Sequence, residues 1–400
     1  MRSVEEHLDR VLGLAGRLEA ESCPIGEGDG RTLAEDLPAR MPVPPFDNSA
    51  MDGFAVRAAD LATGVVLQVV GDIPAGARDL PVVGAGQAAR IMTGAPMPPG
   101  ADTVVPVELT DQPSGASALP DVVGITEIVA AGRHVRHRGE DTQPGQVVLR
   151  AGLRWSPAAA SAASSVGYAQ VPLVRRPRVA VLATGSELVP AGVPLGPGQI
   201  PDSNSLLLAG LVRQFGGEVI FASMVSDDPG EFADALVEAG EADLVLTTGG
   251  VSVGAFEVVR QVTEGDIEFA KVAMQPGKPQ ASGLLKARGG RRVPMLGLPG
   301  NPVSVFVSAW VFVRPVIAVL GGYRVPPKLF ETVAAEGWTG PRERRQYIPV
   351  VFTEDGALPV HRLGSGSHLV ASLALAEGLA IVPEGAAGVT AGDHLTCFRV

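Results

Sequence analysis

The fold is decided by the stretch Gly297-Leu298-Pro299-Gly300-Asn301-Pro302-Val303-Ser304, in which an apolar run breaks into a turn and then resumes. A second stretch of this kind, Thr247-Thr248-Gly249-Gly250-Val251-Ser252-Val253-Gly254, follows the apolar residues 244–246. A strand that ends in a glycine-rich turn and leads into a helix presents free backbone N–H groups to an anion. Because ligands bind at the carboxyl ends of neighbouring parallel strands, the two turns predict one anion-binding pocket.

The residues around these turns, 175–320, alternate between strand and helix patterns. Arg178 to Ala183 and Glu218 to Met224 are typical of buried strands. Asp202-Ser203-Asn204 and Asp227-Asp228-Pro229 are typical of helix starts. Strands that alternate with helices predict a mostly parallel three-layer α/β/α domain.

The flanking segments show other patterns. Residues 3–21 carry apolar side chains at helical spacing, and Ser3 with Glu6 predicts a capping box at the start of a helix. Short β-like runs between turn residues predict a small inserted β region from Ser49 to about Val148. A further helix is predicted over 156–167, and short strands with turns over 328–400.

The composition limits the kind of protein. A chain of 400 residues with 46% hydrophobic residues predicts two to four domains. The net charge of −11 disfavours a nucleic acid or an anionic membrane as the main partner. Cys23 and Cys397 are the only cysteines, so a disulfide scaffold and a structural zinc site are not expected. Without a signal-peptide pattern or a run of 18 apolar residues, we expect a cytoplasmic protein.

Six motifs together resemble one known family. They are Pro44-Pro45-Phe46-Asp47-Asn48-Ser49-Ala50-Met51-Asp52-Gly53-Phe54-Ala55-Val56, Arg90-Ile91-Met92-Thr93-Gly94-Ala95, Gly139-Glu140-Asp141, Thr184-Gly185-Ser186-Glu187-Leu188 and the two turns quoted above. In this order they are similar to the molybdopterin molybdenumtransferase (MoeA) family, shared with the gephyrin E domain, over essentially the whole chain.

This resemblance implies an architecture and a reaction. The expected domains are a discontinuous helix and linker domain (1–45 and 142–174), an inserted β domain (46–141), an α/β molybdopterin-binding domain similar to molybdopterin adenylyltransferase (175–322) and a C-terminal β domain (323–400). The expected enzyme is a homodimer with an active site shared between subunits. It inserts molybdate into adenylylated molybdopterin, releases AMP and requires Mg²⁺, with molybdopterin adenylyltransferase as the upstream partner.

Molybdate is a tetrahedral dianion, and its site needs hydroxyl and amide donors plus one or two cations. The resemblance gives this role to Ser252, Lys278 and Ser304. Ser252 and Ser304 also fit turn and cap residues, and Lys278 also fits a solvated lysine. The complete set of predicted cofactor-binding residues is Gly249, Gly250, Ser252, Gln275, Lys278, Pro299, Gly300, Asn301, Pro302, Ser304, Ser365 and Ser367.

Magnesium binds hard oxygen ligands and keeps several waters, so one or two carboxylates suffice. The resemblance gives this role to Glu187 and Asp227, although Asp227 is also typical of a helix N-cap. Asp202 is a further candidate metal ligand, for which we favour helix capping. The predicted catalytic residues are Glu187, Asp227, Glu257, Lys271, Asp52, Thr93 and Asp141, of which Asp52, Thr93 and Asp141 match positions where the partner subunit's β domain approaches the pocket. For Asp52 and Thr93 a plain turn is an equal alternative.

Two further segments are candidates for contacts with the substrate. The loop Gly364-Ser365-Gly366-Ser367-His368 resembles the family's loop on the pterin side, with His368 interpreted as a hydrogen-bonded turn residue. A basic cluster of Arg342, Arg344 and Arg345 fits either the phosphate of the pterin or AMP, or a solvated run of charges.

The sequence also departs from the family pattern. Gln275 stands where the family usually has the first lysine of Lys-Pro-Gly-Lys-Pro, and glutamine supplies no charge. Ala255 and Glu257 replace the usual pair of acids after Gly254. We therefore expect either weaker oxyanion binding or compensation by another cation. A paralogue that binds cofactor with weakened turnover and a scaffold protein remain alternatives, and tungstate remains an alternative substrate because it has the same shape and charge as molybdate.

Overall fold

The computed structural model describes residues 1–250, 258–361 and 370–400. The chain forms two compact units. The first contains Met1–Ser22, Gly30–Ala34 and Pro172–Val400, and the second contains Cys23–Asp29 and Glu35–Val171.

A six-stranded central sheet forms the middle of the first unit. Its strands, in spatial order, are Glu218–Val225, Arg178–Thr184, Leu244–Thr248, Arg292–Leu298, Pro279–Lys286 and Ile267–Lys271. The first four strands are mutually parallel, and the last two add in antiparallel fashion. In this register Thr248 lies opposite Leu298, so the two strand ends that carry the predicted turns are neighbours.

Helices cover both faces of this sheet. Because side chains alternate between the faces of a strand, Val179 and Leu246 pack against the helices Asn204–Gln214 and Arg314–Leu320. Their neighbours in sequence pack on the opposite face against the helices Pro229–Ala239 and Val258–Val262. The predicted three-layer α/β/α arrangement is confirmed.

The helix that follows the second turn is long and apolar. The segments Pro302–Ser308, Ala309–Val313 and Arg314–Leu320 form one helical run, with a π-helical turn in the middle. Within its 19 residues, a stretch of 18 has a mean hydropathy of 2.1, enough to cross a membrane by length and composition, but 78% of that stretch is buried inside the protein. The apolar character is therefore explained by a position in the core.

The N-terminal helix is shorter than predicted. It spans Val4–Leu12, and Ser3 and Glu6 form the predicted capping box, with bonds of 3.1 Å from Glu6 N to Ser3 Oγ and 2.8 Å from Ser3 N to Glu6 Oε2. The prediction of helix up to residue 21 is wrong, because Gly13 and Gly16 follow and glycine has a low helix propensity. The later apolar residues Leu14, Ala15 and Leu18 still pack against the core, without helical geometry.

A second sheet occupies the C-terminal part of the first unit. Its order is Met274–Gln275, Arg345–Thr353, Gly378–Val382, His394–Arg399 and Phe330–Val333, and Gly356–Pro359 pairs with Arg345–Thr353. A two-strand ladder (Trp338–Thr339 with Gly388–Val389) and a short helix, Val370–Leu373, complete this part. The edge strand Met274–Gln275 lies far from the others in sequence and pairs in parallel with Arg345–Thr353.

The second unit is mainly β structure. Its largest sheet has the order Thr103–Pro106, Gly53–Val56, Gln87–Ile91, Val66–Ile73 and Val122–Gly124. Two ladders join Asn48–Ser49 to Val135–Arg136 and Leu37–Pro38 to Val147–Leu149. The predicted helix is present as Pro157–Ser165, with Ser156 as its cap and Pro157 at its first position. The strands Ala20–Pro24 and Gln170–Val174 each contain residues of both units.

Candidate functional site

Three parallel strands end side by side at one edge of the central sheet. Their last residues are Thr184, Thr248 and Leu298. Thr184 Oγ1 donates a hydrogen bond of 3.1 Å to the carbonyl oxygen of Thr248, and Gly249 N donates one of 3.2 Å to the carbonyl oxygen of Leu298. These bonds hold the Gly249-Gly250 turn between the other two strand ends.

Glycine is required at the start of this turn. Gly249 has φ +86°, and a Cβ atom there would lie 2.4 Å from the carbonyl oxygen of Thr184. Both the left-handed backbone and the contact with the neighbouring strand exclude a side chain. A Cβ on Gly300 would in turn meet the Cα of Gly249 at 3.6 Å, so a side chain at position 300 would touch the first turn.

Asn204 ties the second turn to a neighbouring helix. Its Nδ2 donates a hydrogen bond of 2.6 Å to the carbonyl oxygen of Gly300. Asn204 is 8% exposed and begins the helix Asn204–Gln214. The sequence suggested only a capping motif here. Nothing in the local pattern indicated that the asparagine side chain would position a turn 96 residues further along the chain.

Asp202 acts as a helix cap. Its Oδ1 accepts hydrogen bonds from the backbone N–H groups of Asn204 (3.0 Å) and Ser205 (3.1 Å), and its Oδ2 accepts one from Ser205 Oγ. The residue is 5% exposed. Because both carboxylate oxygens are engaged, the structure favours the capping interpretation of Asp202 over its predicted role as a metal ligand.

Two adjoining cavities lie against the strand ends. The smaller has a volume of about 350 Å³ and is lined by Gly249, Gly250, Gln275, Pro276, Gly277, Lys278, Pro279, Pro299, Gly300, Asn301 and Ser304. The larger, of about 730 Å³, is lined among others by Thr184, Glu187, Asn204, Asp227 and Pro302. Gly249, Gly250, Gly300 and Asn301 line both cavities, which are therefore contiguous.

The two cavities differ in charge. Among the described residues that line the smaller cavity, Lys278 is the one that carries a charge. Ser304, 3% exposed, lies in the first turn of the helical run that begins at Pro302. The larger cavity is acidic, with Glu187 and Asp227 in its lining. One cavity thus suits an oxyanion and the other a cation.

Asp227 does not cap the helix that follows it. The helix Pro229–Ala239 is capped by Asp228, which accepts from Gly230 N at 2.8 Å and Glu231 N at 3.0 Å. Asp227 Oδ2 accepts instead from Ser186 N (2.9 Å), while Asp227 N donates to Ser186 Oγ (3.2 Å). This reciprocal pair holds Asp227 beside the Ser186-Glu187 turn and leaves its Oδ1 without a donor among the described residues.

Glu187 lies over the same turn. A Cβ on Gly185, whose φ is +155°, would lie 2.6 Å from Glu187 Oε2, so the carboxylate folds back over this glycine. The side chain is exposed. Within residues 1–250, 258–361 and 370–400, three or more acidic, histidine or cysteine side chains do not gather into a metal-binding group. Any metal held by Glu187 and Asp227 would therefore need further ligands from substrate or water.

Other predicted site residues lie elsewhere. Lys271 ends the strand Ile267–Lys271, opposite Pro279, and its exposed side chain lines neither cavity. Asp52, Thr93 and Asp141 belong to the second unit. Ser252, Glu257, Ser365 and Ser367, together with Ala255 and His368, are outside the described residues.

Within the second unit, Asp52 and Thr93 form a direct contact. Asp52 Oδ1 accepts from Thr93 N at 2.6 Å and from Thr93 Oγ1 at 2.8 Å. The backbone bond, followed by the hydroxyl bond, lowers the pKa of the Asp52 carboxyl below its usual value. Asp141 is exposed. The two motifs around Asp52 and Thr93 thus present one ionised carboxylate with a fixed orientation.

The basic cluster separates into residues with different partners. Arg345 forms an ion pair with Glu5. Arg344 Nη1 donates a hydrogen bond of 3.0 Å to Gln275 Oε1, next to the smaller cavity. Arg342 is exposed. Of these three arginines, Arg344 is the one whose side chain, among the described residues, hydrogen-bonds a residue that lines the candidate site.

Comparison with known proteins defines the class of this chain. Residues 2–167 match the model described as MoeA N-terminal region (domain I and II). Residues 180–319 match that described as Probable molybdopterin binding domain, and residues 331–397 match MoeA C-terminal region (domain IV). The central sheet with its two cavities therefore belongs to a molybdopterin-binding type of domain, within a multi-domain protein of the MoeA kind.

Relatives along the whole chain identify the family. Molybdopterin molybdenumtransferase 2 of Mycobacterium tuberculosis (strain ATCC 25618 / H37Rv) is 40% identical, covering 99% of this chain and 98% of the relative. Molybdopterin molybdenumtransferase of Bacillus subtilis (strain 168) is 34% identical, covering 97% and 92%. The crystal structure of the molybdopterin biosynthesis MoeA protein from Pyrococcus horikosii superposes with a TM-score of 0.82 at 31% identity, covering 99% and 98%. The chain belongs to the molybdopterin molybdenumtransferase (MoeA) family.

Membership confirms three of the predictions made from the sequence. The family resemblance is confirmed, as is the mixed multi-domain fold with an α/β molybdopterin-binding domain. The predicted role, a transferase in molybdenum cofactor biosynthesis, is confirmed at the level of the family.

Proposed function

We propose that this chain inserts molybdate into adenylylated molybdopterin and releases AMP in a magnesium-dependent reaction. The observation that supports this proposal best is the contiguity of the two cavities. They share the Gly249-Gly250 and Gly300-Asn301 backbone, yet one carries a lysine, whereas the other carries Glu187 and Asp227 beside the helix-capping Asp202. An oxyanion and a magnesium-bound phosphoanhydride need opposite charges held close together, which this pair of cavities supplies.

In the proposed complex, molybdate occupies the smaller cavity. Lys278 supplies positive charge, and the Ser304 hydroxyl and the backbone N–H groups of the turns supply hydrogen-bond donors. The helical run that begins at Pro302 has its N-terminus at this cavity and adds a favourable dipole. These groups orient the oxyanion before any bond changes, which is how a preorganised site lowers an activation barrier.

The larger cavity holds the adenylylated phosphate. Glu187 and the free Oδ1 of Asp227 are the residues that would hold Mg²⁺, and bound magnesium would neutralise charge on the phosphoanhydride as AMP leaves. Two carboxylates fit this ion, because magnesium takes its remaining ligands from phosphate oxygens and water. Ser186 fixes Asp227 in this position, and Asn204 holds the turn at Gly300 that separates phosphate from molybdate.

We further propose that the working enzyme is a cytoplasmic homodimer supplied by a molybdopterin adenylyltransferase. In that assembly Asp52, Thr93 and Asp141 of one subunit approach the cavities of the other. The Asp52 carboxylate fits such a role because Thr93 keeps it ionised and oriented. Lys271 belongs to the same proposal as a residue that reaches the substrate only in the complete complex.

A reconstituted reaction tests the proposal. Purified protein is mixed with adenylylated molybdopterin, sodium molybdate and MgCl₂, and AMP is measured by chromatography. We expect AMP only when all three additions are present, with loss of release on removal of magnesium. Molybdate binding without AMP release would favour the cofactor-binding paralogue, for which the neutral Gln275 is the main argument. Parallel reactions with sodium tungstate determine which of the two oxyanions is preferred.

A further inference from the structure

The contact between Arg344 and Gln275 is set by backbone pairing. Gln275 lies in the edge strand Met274–Gln275, which pairs in parallel with Arg345–Thr353 and places Met274 opposite Arg345. Arg345 N also donates a hydrogen bond of 3.0 Å to the carbonyl oxygen of Ala273. Arg344, the residue before this strand, is thereby fixed beside Gln275, and its Nη1 donates to Gln275 Oε1 at 3.0 Å.

This contact determines which way the glutamine amide faces. A guanidinium group has five donors and no acceptor, so only the oxygen of the Gln275 amide can face it. The Nε2 amino group is then directed away from Arg344. Because Gln275 lines the smaller cavity, its N–H groups are available to a bound oxyanion.

In the described part of the chain, no carboxylate neutralises the charge of Arg344. None of the ion pairs within residues 1–250, 258–361 and 370–400 includes Arg344, whereas its neighbour Arg345 is paired with Glu5. Arg344 is half-buried, and its Nε is a buried donor without a hydrogen-bond partner. A half-buried cation with an unsatisfied donor is unusual in a protein, and it generates a positive field at its neighbours.

A tetrahedral dianion in the smaller cavity meets one cationic residue, Lys278, among the lining residues that the structure describes. We infer that Arg344 is the second cation of this site, acting through Gln275: it orients the amide donor toward the oxyanion and places its own charge one hydrogen bond behind it. Arg344 is therefore a positioning residue that favours doubly over singly charged tetrahedral anions. This inference rests on the proposed function of the cavity as the molybdate site.

The role of Arg344 is tested by measuring anion binding to variants that change the charge at this position. Calorimetry measures the dissociation constants of sodium molybdate and of sodium perrhenate, a tetrahedral anion with a single charge. For Arg344→Met we expect molybdate affinity to fall about tenfold, the usual effect of losing one charge-assisted contact. Because Coulomb energy scales with the product of charges, perrhenate affinity falls only about threefold. Arg344→Lys keeps the charge and remains within about threefold of the wild type for both anions.

Gln275→Lys supplies the complementary measurement. A lysine at 275 carries a cation into the cavity directly, so it restores molybdate binding in the Arg344→Met background. In the wild-type background it gains less, because Arg344 then repels it. Lys328→Met, which removes an exposed charge without an ion pair in the described part of the chain, is the matched control and leaves both affinities unchanged.

The outcomes separate the two proposals. Wild-type protein that binds no molybdate overturns the proposed function and this inference with it. Wild-type binding that is unchanged in Arg344→Met overturns only the inference and leaves the proposed function in place. Equal losses for molybdate and perrhenate also overturn it, since they would mean that Arg344 supports the shape of the loop and not the charge of the site.

Discussion

A single methyl group at position 249 tests whether the strand ends meet as tightly as the structure indicates. The perturbation is Gly249→Ala, and the matched control is Gly265→Ala. The two glycines have nearly the same backbone angle, φ +86° and +88°, but a Cβ at 265 meets nothing within 4 Å. Both variants bear the cost of a left-handed alanine, about 1–2 kcal/mol. Any larger loss of stability in Gly249→Ala must come from the contact between the new Cβ and the carbonyl oxygen of Thr184.

The structure sets the size of that extra effect. The new Cβ would lie 2.4 Å from the Thr184 carbonyl oxygen, and an ordinary contact begins near 3.4 Å, so the atoms must separate by the difference, 1.0 Å. That movement strains the bond from Gly249 N to Leu298 and the bond from Thr184 Oγ1 to Thr248. Overpacking costs about 1–3 kcal/mol and a lost hydrogen bond about 0.5–1.5 kcal/mol, so the extra destabilisation is about 3 kcal/mol.

Thermal unfolding measures the stability and calorimetry measures molybdate binding. At about 2–4 °C per kcal/mol for a unit of this size, Gly265→Ala lowers the midpoint by about 3–6 °C and Gly249→Ala by roughly 10–15 °C. Below both midpoints, Gly249→Ala also loses at least about tenfold in molybdate affinity, because the turn is displaced into the shared wall of the cavities. Equal midpoints for the two variants, with unchanged binding, would refute the close approach of the strand ends.

Two further predictions follow from adjacent carboxylates and from one buried histidine. Asp228→Ala removes a helix cap. It lowers the free energy of unfolding in urea by about 1 kcal/mol while AMP release persists, whereas Asp227→Ala lowers AMP release about a hundredfold or more with little change in stability. The reverse pattern would contradict the assignment of Asp228 as the cap and Asp227 as the metal ligand. Burial, the largest cause, lowers the pKa of His7 from 6.5 to about 4. The unfolded chain therefore binds a proton first, and stability present above pH 6.5 is lost as the pH falls toward 4. Between pH 7 and 5 the wild type loses about 2 kcal/mol of unfolding free energy that His7→Leu does not lose, and parallel losses in both proteins would exclude His7 as the cause.

The arrangement of the central sheet could be predicted from local sequence because it follows from local rules. Apolar runs that end in Gly-rich turns before Asn301 and after Thr248 define parallel strands, and the carboxyl ends of parallel strands share an edge. Asn301 and Ser304 were therefore expected at one cavity, and the resemblance to the family added Lys278. All three line the smaller cavity. Their proposed contacts with molybdate stay a prediction.

Local rules fail where two neighbours satisfy the same pattern. Asp227 and Asp228 both precede Pro229, and either is an acceptable cap by composition. The backbone direction after the strand Glu218–Val225 decides, and it gives the cap to Asp228 and frees Asp227 for Ser186. Apolar periodicity fails in a similar way at Ala15 and Leu18, since packing against the core requires burial but not a helix.

The change at position 275 shows why the charge of a site cannot be inferred from one motif. In the sequence, Gln275 in place of a lysine indicated a lost cation and raised the question of compensation. Arg344 lies 69 residues away, and no spacing links the two positions. They meet because the strand Met274–Gln275 leaves the central domain and completes the edge of the C-terminal sheet. Electrostatic potential sums over all nearby charges irrespective of chain order. A neutral residue at one position of a binding motif therefore lowers the positive charge of the site only if no other residue, however distant in sequence, places a cation nearby.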